Sequence, residues 1–183
     1  MALTSLATMI EIVPYNPLWS SMFAEEAARI RKEFGATALR VSHVGSTSVP
    51  GLDAKPVIDI QVSVASLEQR DSLDEHMRRL GYTHMDLGDF DIVYPFFKRP
   101  AHWPSTHHVH LCTIGSAEER NHLAFRDYLR SNPEACAQYT ALKRHLATLH
   151  HGTTLESQES YSLAKSEFVS SVLERAEQNP WHH

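Results

Sequence analysis

Long apolar runs are absent from this 183-residue sequence. No stretch reaches the roughly 18 apolar residues that a membrane-spanning helix requires. Residues 1–13 contain no basic segment followed by a long apolar one, the arrangement typical of a signal peptide. We therefore expect a soluble, cytoplasmic protein that has no membrane partner.

Cysteine is scarce, and positive charge is dispersed. The two cysteines, Cys112 and Cys136, predict buried thiols rather than a disulfide in a chain with no export signal. The net charge is -5 with histidine neutral, and no stretch concentrates lysine and arginine. The sequence therefore predicts no nucleic-acid partner, although a small anionic ligand in a local pocket is compatible with this charge.

The overall composition favours a single domain over residues 1–183. Hydrophobic residues make up 42% of the chain, enough for one core, and there is no internal repeat, low-complexity segment or long linker. Histidine is abundant, with 13 residues. The last two, His182 and His183, are either native or left from a tag.

Periodicity and capping residues predict a mixed first part and a helical second part. Helix starts are marked by four signals: Asn16-Pro17, Ser66 with Gln69, Ser116 with Glu119, and Asn132-Pro133. Helices are predicted at residues 17–34, 66–81, 117–131, 133–150 and 157–176. Strands are predicted at residues 10–13, 38–44, 56–64, 92–97 and 108–113. This order predicts an α+β fold, with a small mixed sheet and flanking helices over about residues 10–115 and a helical part over about 116–177.

The strand predicted at residues 56–64 contains an acid in its most apolar surroundings. Its nearly continuous β-branched residues are typical of a central strand covered on both faces. A buried carboxylate is costly unless a metal or hydrogen bonds compensate its charge. Asp59 is therefore either a divalent-metal ligand or a strand-end acid that makes ordinary backbone contacts.

A short polar loop precedes that strand. Gly45, Ser46, Thr47 and Ser48 follow the strand predicted at 38–44, and their N–H groups and hydroxyls could bind a phosphate. The same residues are also common in turns for purely conformational reasons. The spacing is not that of a Walker A loop, but Lys55 could supply a cation to the same phosphate.

Several motifs together carry a family resemblance. HVGSTSVPGL, KPVIDIQV, THHVHL, FRDYLR and YSLAKSEFV occur in this order, and from about residue 10 to 174 the chain resembles the GrpB-type (UPF0157) proteins. The resemblance implies the nucleotidyltransferase-fold superfamily, and relatives of this domain occur fused to dephospho-CoA kinase. It gives the fold more directly than it gives the reaction.

Active members of that superfamily carry a Gly-Ser turn, an acid-x-acid pair on the next strand and a third acid on a later strand. By this resemblance Gly45-Ser46 matches the turn and Asp59 the first acid. Gln61 stands at the second position, where an amide oxygen can coordinate a cation but contributes no charge, so we expect weaker Mg²⁺ binding. The later strand offers His108 and His110 instead of an acid.

Two alternating histidines suggest a different metal. His108 and His110 project from one face of a strand, and with Asp59 they would form a two-histidine, one-carboxylate set. Such a set suits Zn²⁺, Mn²⁺ or Fe²⁺ better than Mg²⁺. The alternative is that both imidazoles bond to a ligand or to neighbouring side chains without a metal.

The remaining candidates are cationic or aromatic. His43 could act as a base beside the Gly-Ser loop or be a satisfied polar residue. Lys98 could bind a phosphate or belong to a solvated loop. Arg126 and Arg130 lie one helical turn apart and could bind the ligand or be structural. By the resemblance, two residues four apart on the last helix are expected to line the ligand cleft: Tyr161 and Lys165.

Three functions are consistent with these residues. The first is a nucleotidyltransferase-like protein that transfers a nucleotidyl or phosphoryl group to a small molecule, with Asp59, His43 and Gln61 as catalytic candidates. The second is a non-catalytic module that binds a nucleotide or CoA-like ligand and has a degenerate metal site. The third is a transition-metal-dependent phosphohydrolase or transferase that uses Asp59, His108 and His110.

Overall fold

The computed structural model describes residues 10–150 and 154–178, so the pair His182-His183 lies outside the described residues. The described part contains one five-stranded sheet: β1 (Arg40–Val44), β2 (Ile58–Val64), β3 (Thr83–Met85), β4 (Phe96–Arg99) and β5 (His107–Thr113). Its order is β1-β2-β5-β4-β3, with β2 and β5 parallel and the other neighbours antiparallel. The predicted α+β class, with a mixed sheet, is confirmed.

Six α-helices accompany the sheet in the described residues: α1 (Leu18–Phe34), α2 (Arg70–Arg79), α3 (Ala117–Ser131), α4 (Pro133–Leu149), α5 (Leu155–Leu163) and α6 (Ser166–Gln178). The predicted helix starts before α1 and α4 are confirmed to within a residue or two. The side chain of Asn16 accepts the N–H of Leu18 at 3.0 Å, and Pro133 opens α4. No helix among these residues is long and apolar enough to cross a bilayer.

Four sequence predictions about elements are wrong. The helix predicted at 157–176 is two helices: the N–H of Ala164 still donates to Ser160, four residues back, but the N–H of Lys165 donates to Ser162, only three residues back. Residues 88–92 form a 3₁₀ turn, so the strand predicted at 92–97 begins at Phe96. Residues 10–13 contribute an isolated bridge, and the helix predicted from Ser66 starts at Arg70. The short strand β3 was not predicted.

The two faces of β2 differ sharply in polarity. Ile58, Ile60 and Val62 belong to the main hydrophobic cluster, which also contains the buried face of α1. The alternate residues Gln61 and Ser63 face α3 and are also fully buried. The prediction that this strand is covered on both faces is confirmed, but one of the two faces is polar.

Glu119 joins α3 to that polar face. Its carboxylate, 2% exposed, accepts hydrogen bonds from the hydroxyl of Ser63, the N–H of Gly115 and the guanidinium of Arg40. Ser116 caps the N–H of Glu119 at 3.2 Å, as predicted. The reciprocal half of the capping box is absent because the glutamate carboxylate is used to hold the sheet.

A second buried carboxylate joins α1 to the opposite edge of the sheet. Glu26, 4% exposed, accepts hydrogen bonds from Arg29 at 2.7 Å, from Arg99 at 2.9 Å and from the hydroxyl of Tyr82 at 3.0 Å. Two cations and a phenol therefore depend on one carboxylate. Its removal would leave buried donors without an acceptor.

We expect Glu26→Ala to lower the free energy of unfolding by about 2–4 kcal/mol, because it leaves the buried phenol of Tyr82 without an acceptor and removes the carboxylate that pairs with Arg99. Glu25→Ala removes the same charge from the exposed neighbouring position and should cost less than about 0.5 kcal/mol. Urea unfolding of both variants measures the difference. Equal losses would show that Glu26 does not hold α1 in place.

Candidate functional site

The sheet register places polar side chains from three strands in one row. Asp59 of β2 lies opposite His108 of β5, and His108 lies opposite Lys98 of β4. Partners in register project from the same face, so all three side chains point to the same side of the sheet. They line a cleft of about 760 Å³ between this face and the helical part of the chain.

The Gly-Ser loop lies directly against the carboxylate. Gly45 has φ +67°, and a Cβ built on it would lie 2.3 Å from Oδ2 of Asp59. The position therefore requires glycine both for its backbone conformation and for its close approach to the acid. Gly45 and Ser46 line the cleft, as the sequence predicted.

Asp59 is held by a hydrogen-bonded histidine. His108 Nδ1 lies 3.2 Å from Oδ1 of Asp59, and His108 Nε2 lies 2.8 Å from the hydroxyl of Ser105. Burial opposes ionisation of Asp59, but the hydrogen bond from His108 and the positive charge of Lys55 hold its pKa below the usual value. The acid is therefore ionised near neutral pH.

Three lysines converge on two tyrosine rings. The ammonium groups of Lys55 and Lys165 lie 4.7 and 4.4 Å from the ring centroid of Tyr161. The ammonium of Lys143 lies 4.6 Å from the centroid of Tyr139 and donates a hydrogen bond to a backbone carbonyl of the loop before β2. All three lysines line the cleft.

Burial makes these ammonium groups easy to deprotonate. Desolvation lowers the pKa of Lys143 to about 7. Desolvation, together with the charges of Lys55 and Lys143, lowers the pKa of Lys165 to about 7. The pKa of Lys55 is also lowered by burial, while Asp59 partly offsets the effect. An anion bound in the cleft would offset the repulsion between these ammonium groups.

Two buried polar atoms of the cleft have no partner within the described residues: the hydroxyl of Tyr161 and Nδ1 of His110. The ring of His110 stacks on Tyr94 and Phe96 at centroid distances of 4.3 and 4.7 Å. Burial lowers the pKa of His110 to about 3, so its imidazole is neutral. Unpaired buried polar atoms are rare and are expected where a ligand binds.

Some predicted loop residues do not face the cleft. His43 projects from the opposite face of β1, where it stacks on Phe23 at 4.6 Å, because strand residues alternate between faces. The hydroxyl of Thr47 donates to the carbonyl of Val57, and that of Ser48 to the carbonyl of Gly45. These side chains therefore shape the loop and do not line the cleft.

The two predicted arginines also hold the loop. Arg126 donates to the carbonyl of His43 at 3.1 Å and pairs with Asp127. Arg130 donates twice to the carbonyl of Ser48, at 2.7 and 3.0 Å. Both side chains are used on the backbone that flanks the loop, and neither lines the cleft.

Gln61 does not fit the role of a second metal ligand. It is fully buried, its amide oxygen accepts the hydroxyl of Tyr94 at 2.8 Å, and its amide nitrogen donates to α3. Asp59 faces Lys55 and a bonded histidine rather than a second carboxylate. This donor set does not fit the metal pair of two-metal phosphoryl transfer.

The predicted set of Asp59, His108 and His110 does not converge either. No three His, Cys, Asp or Glu side chains in residues 10–150 and 154–178 come together as a metal site. Both nitrogens of His108 are hydrogen-bonded, and the ring of His110 is stacked between aromatic neighbours. A transition metal on these three residues would need a different side-chain arrangement.

Lys143 is a charged cleft residue that the sequence analysis missed. It lies on the buried face of α4 with Tyr139 and Leu146, which are four residues before it and three after it. A lysine on the apolar stripe of a helix is an anomaly that the 3.6-residue period exposes. Its hydrogen bond to the loop before β2 could not be predicted from that pattern.

A family model described as "GrpB protein" matches residues 9–175. The chain belongs to the GrpB family. The solved structure of the conserved protein GrpB from Enterococcus faecalis is similar, with a TM-score of 0.79 and 35% identity over 94% of this chain and 100% of that chain. The fold described above is therefore the GrpB fold.

Longer proteins contain GrpB-like regions. The UPF0157 protein YqkA of Bacillus subtilis is 36% identical over 91% of this chain and 47% of its own length, so the chain spans about half of that relative. A dephospho-CoA kinase of Mycolicibacterium paratuberculosis is 33% identical over 74% of this chain and 39% of its own length. A poly(U) polymerase structure, Cid1, is similar at TM-score 0.47 and 16% identity, a level from which nothing is concluded.

We expect Gly45→Ala to lower the free energy of unfolding by at least about 2 kcal/mol, because the new methyl group collides with Asp59 in a left-handed backbone. Gly88→Ala is the matched control, since Gly88 has φ +64° but open space around its Cα. It should cost about 1 kcal/mol. Denaturant titration compares the two, and equal costs would contradict the close approach to Asp59.

Proposed function

We propose that the cleft binds a nucleotide or another phosphorylated small molecule, with the phosphates among Lys55, Lys143 and Lys165. The observation that carries this proposal is the convergence of three ammonium groups on Tyr139 and Tyr161 within one cleft. Buried like charges repel one another and favour an anionic ligand. The unpartnered hydroxyl of Tyr161 supplies a further donor.

The side of the cleft under β3 and β4 supports a ligand with an aromatic or apolar group. Met85, Leu87, Phe90 and Phe96 line it there, and Phe90 is 48% exposed. These strands lie at the far edge of the sheet from β1, which leads into the Gly-Ser loop. A nucleotide has this division, because its base is flat and apolar while its phosphates are charged.

Binding is favoured over two-metal transfer by the charges around Asp59. One carboxylate with lysine neighbours and a buried amide attracts anions better than it attracts two divalent cations. A second candidate, transfer of a nucleotidyl or phosphoryl group to a small molecule, is favoured by one observation. Asp59 is ionised and faces the cleft beside Gly45.

We expect ATP, GTP, CTP, UTP or CoA to bind in metal-free buffer, and Lys143→Met to weaken that binding at least about tenfold, because it removes a phosphate contact. Lys32→Met removes an exposed lysine of α1 and should leave the Kd unchanged. Isothermal titration calorimetry measures both. An unaltered Kd in Lys143→Met would refute the site, whereas binding that requires Mg²⁺ and disappears in Asp59→Ala would favour transfer.

The affinity should fall as pH rises from about 6.5 to 8.5, by at least about tenfold. Lys143 and Lys165 have pKa values lowered to about 7, so they lose their charge across this range. The second phosphate pKa is about 6, so the ligand is already mostly ionised at the start of this range, and the charge that it still gains offsets only a small part of the loss. Isothermal titration calorimetry at several pH values shows whether the affinity falls or rises with pH.

Lys165→Arg tests the origin of this pH dependence, because arginine stays charged throughout. The slope of affinity against pH should be smaller in that variant. Affinity that is constant or rises with pH in the unmodified protein would contradict the role of the two lysines.

A further inference from the structure

A hydroxyl, an imidazole and a carboxylate form one chain of hydrogen bonds at the cleft. Ser105 Oγ lies 2.8 Å from Nε2 of His108, and Nδ1 of His108 lies 3.2 Å from Oδ1 of Asp59. Asp59 comes from β2, His108 from the adjacent parallel strand β5, and Ser105 from the loop that enters β5. The sheet register fixes the first pair, and the loop brings the serine to the outer nitrogen.

The acceptor at one end sets the direction of every hydrogen bond. An ionised carboxylate only accepts, so Nδ1 of His108 carries the proton that faces Asp59. In the neutral form of the ring, Nε2 is then an acceptor, and Ser105 donates its hydroxyl proton to it. This is the order in which a nucleophilic serine, a general base and an orienting carboxylate are arranged.

The neighbouring pair of Thr106 and His107 is a comparison for the hydrogen-bond chain of Ser105, His108 and Asp59. The Thr106 hydroxyl lies 2.9 Å from Nδ1 of His107 and donates to a carbonyl of β4. No carboxylate among the described residues is hydrogen-bonded to that imidazole, and neither residue lines the cleft. The Ser105 chain differs in both respects, because Asp59 terminates it and His108 lines the cleft.

Two cations lie on the same side of the sheet as the Asp59–His108 pair. Lys98 lies opposite His108 in the register of β4 and β5, and Lys55 acts on Asp59. Both lysines line the cleft. Ser105 is 7% exposed and adjoins the cleft through His108. Positive charge is what the oxygens of a phosphoryl group in transfer require.

We propose that Ser105 is a nucleophile that accepts a phosphoryl group from the phosphorylated ligand of the cleft, with His108 as general base and Asp59 as the positioning residue. This inference rests on the proposed binding function. The bond from Ser105 Oγ to phosphorus forms while the bond from phosphorus to the leaving oxygen breaks. The hydroxyl proton passes to Nε2 of His108 and then to the leaving oxygen. Hydrolysis of the phosphoserine by water regenerates Ser105.

The test is incubation of the full chain with ATP or acetyl phosphate, followed by acid quenching and mass spectrometry of the intact protein and its peptides. We expect one phosphate, located on Ser105, in the protein without substitutions and none in Ser105→Ala. His108→Gln should slow the modification at least about 100-fold, since it removes the general base. Thr106→Ala is the matched control and should be modified at the unaltered rate.

Each result separates this inference from the binding proposal. If calorimetry shows that ATP binds but no phosphate appears on Ser105, the nucleophile is overturned and the binding site stands. If none of ATP, GTP, CTP, UTP and CoA binds and no phosphate appears, both are overturned. Phosphate on another residue, or on Ser105 at an equal rate in His108→Gln, also overturns it. Peptide mapping of the unmodified protein gives this answer even if Ser105→Ala does not fold.

Discussion

The parallel pairing of β2 with β5 determines the rest of this molecule. These strands are adjacent in the sheet but distant in sequence, so the chain between them must cross over, and it supplies α2, β3 and β4 on the way. The same register sets Asp59 beside His108 and Gln61 beside His110. A single pairing thus creates both the packed interior and the polar row that ends at the cleft.

The polar side chains on this face of the sheet change in burial and charge along the strands. Toward the α3 end, Gln61 and Ser63 are completely buried, and their hydrogen bonds go to α3 and Tyr94. Toward the cleft end, Asp59 and His108 retain 28% and 22% of their side-chain surface. Buried hydrogen bonds to α3 close the first end, whereas the second end keeps charges where a ligand can reach them.

The sequence was sufficient for the fold class and for the order of most elements, because β-branched runs and capping residues act locally. It also placed Gly45, Ser46, Lys55, Asp59, Tyr161 and Lys165 at the cleft, and the structure brings all of these together. These residues are adjacent in short motifs or follow the family resemblance. Strand alternation and the short loop motif were enough for the residues around Asp59, whereas Tyr161 and Lys165 were placed by the family resemblance.

The remaining errors came from contacts that have no local signal. His43 and Gln61 were assigned to the site, but face alternation and a tyrosine on a distant loop decide their surroundings. Lys143 was missed because its partner is a backbone carbonyl 90 residues away. The helix break near Ala164 was also missed, because no glycine or proline marks it.

The arginine contacts of α3 have a mechanical consequence for the Gly-Ser loop. Arg126 holds the carbonyl just before the loop, and Arg130 holds the carbonyl at its end. Both donors stand on one rigid helix, which Glu119 in turn fastens to the sheet. The loop is therefore not an independent flap. A displacement of its backbone would have to move α3 as well or break the charged hydrogen bonds at both ends. The loop is therefore preorganised before a ligand binds.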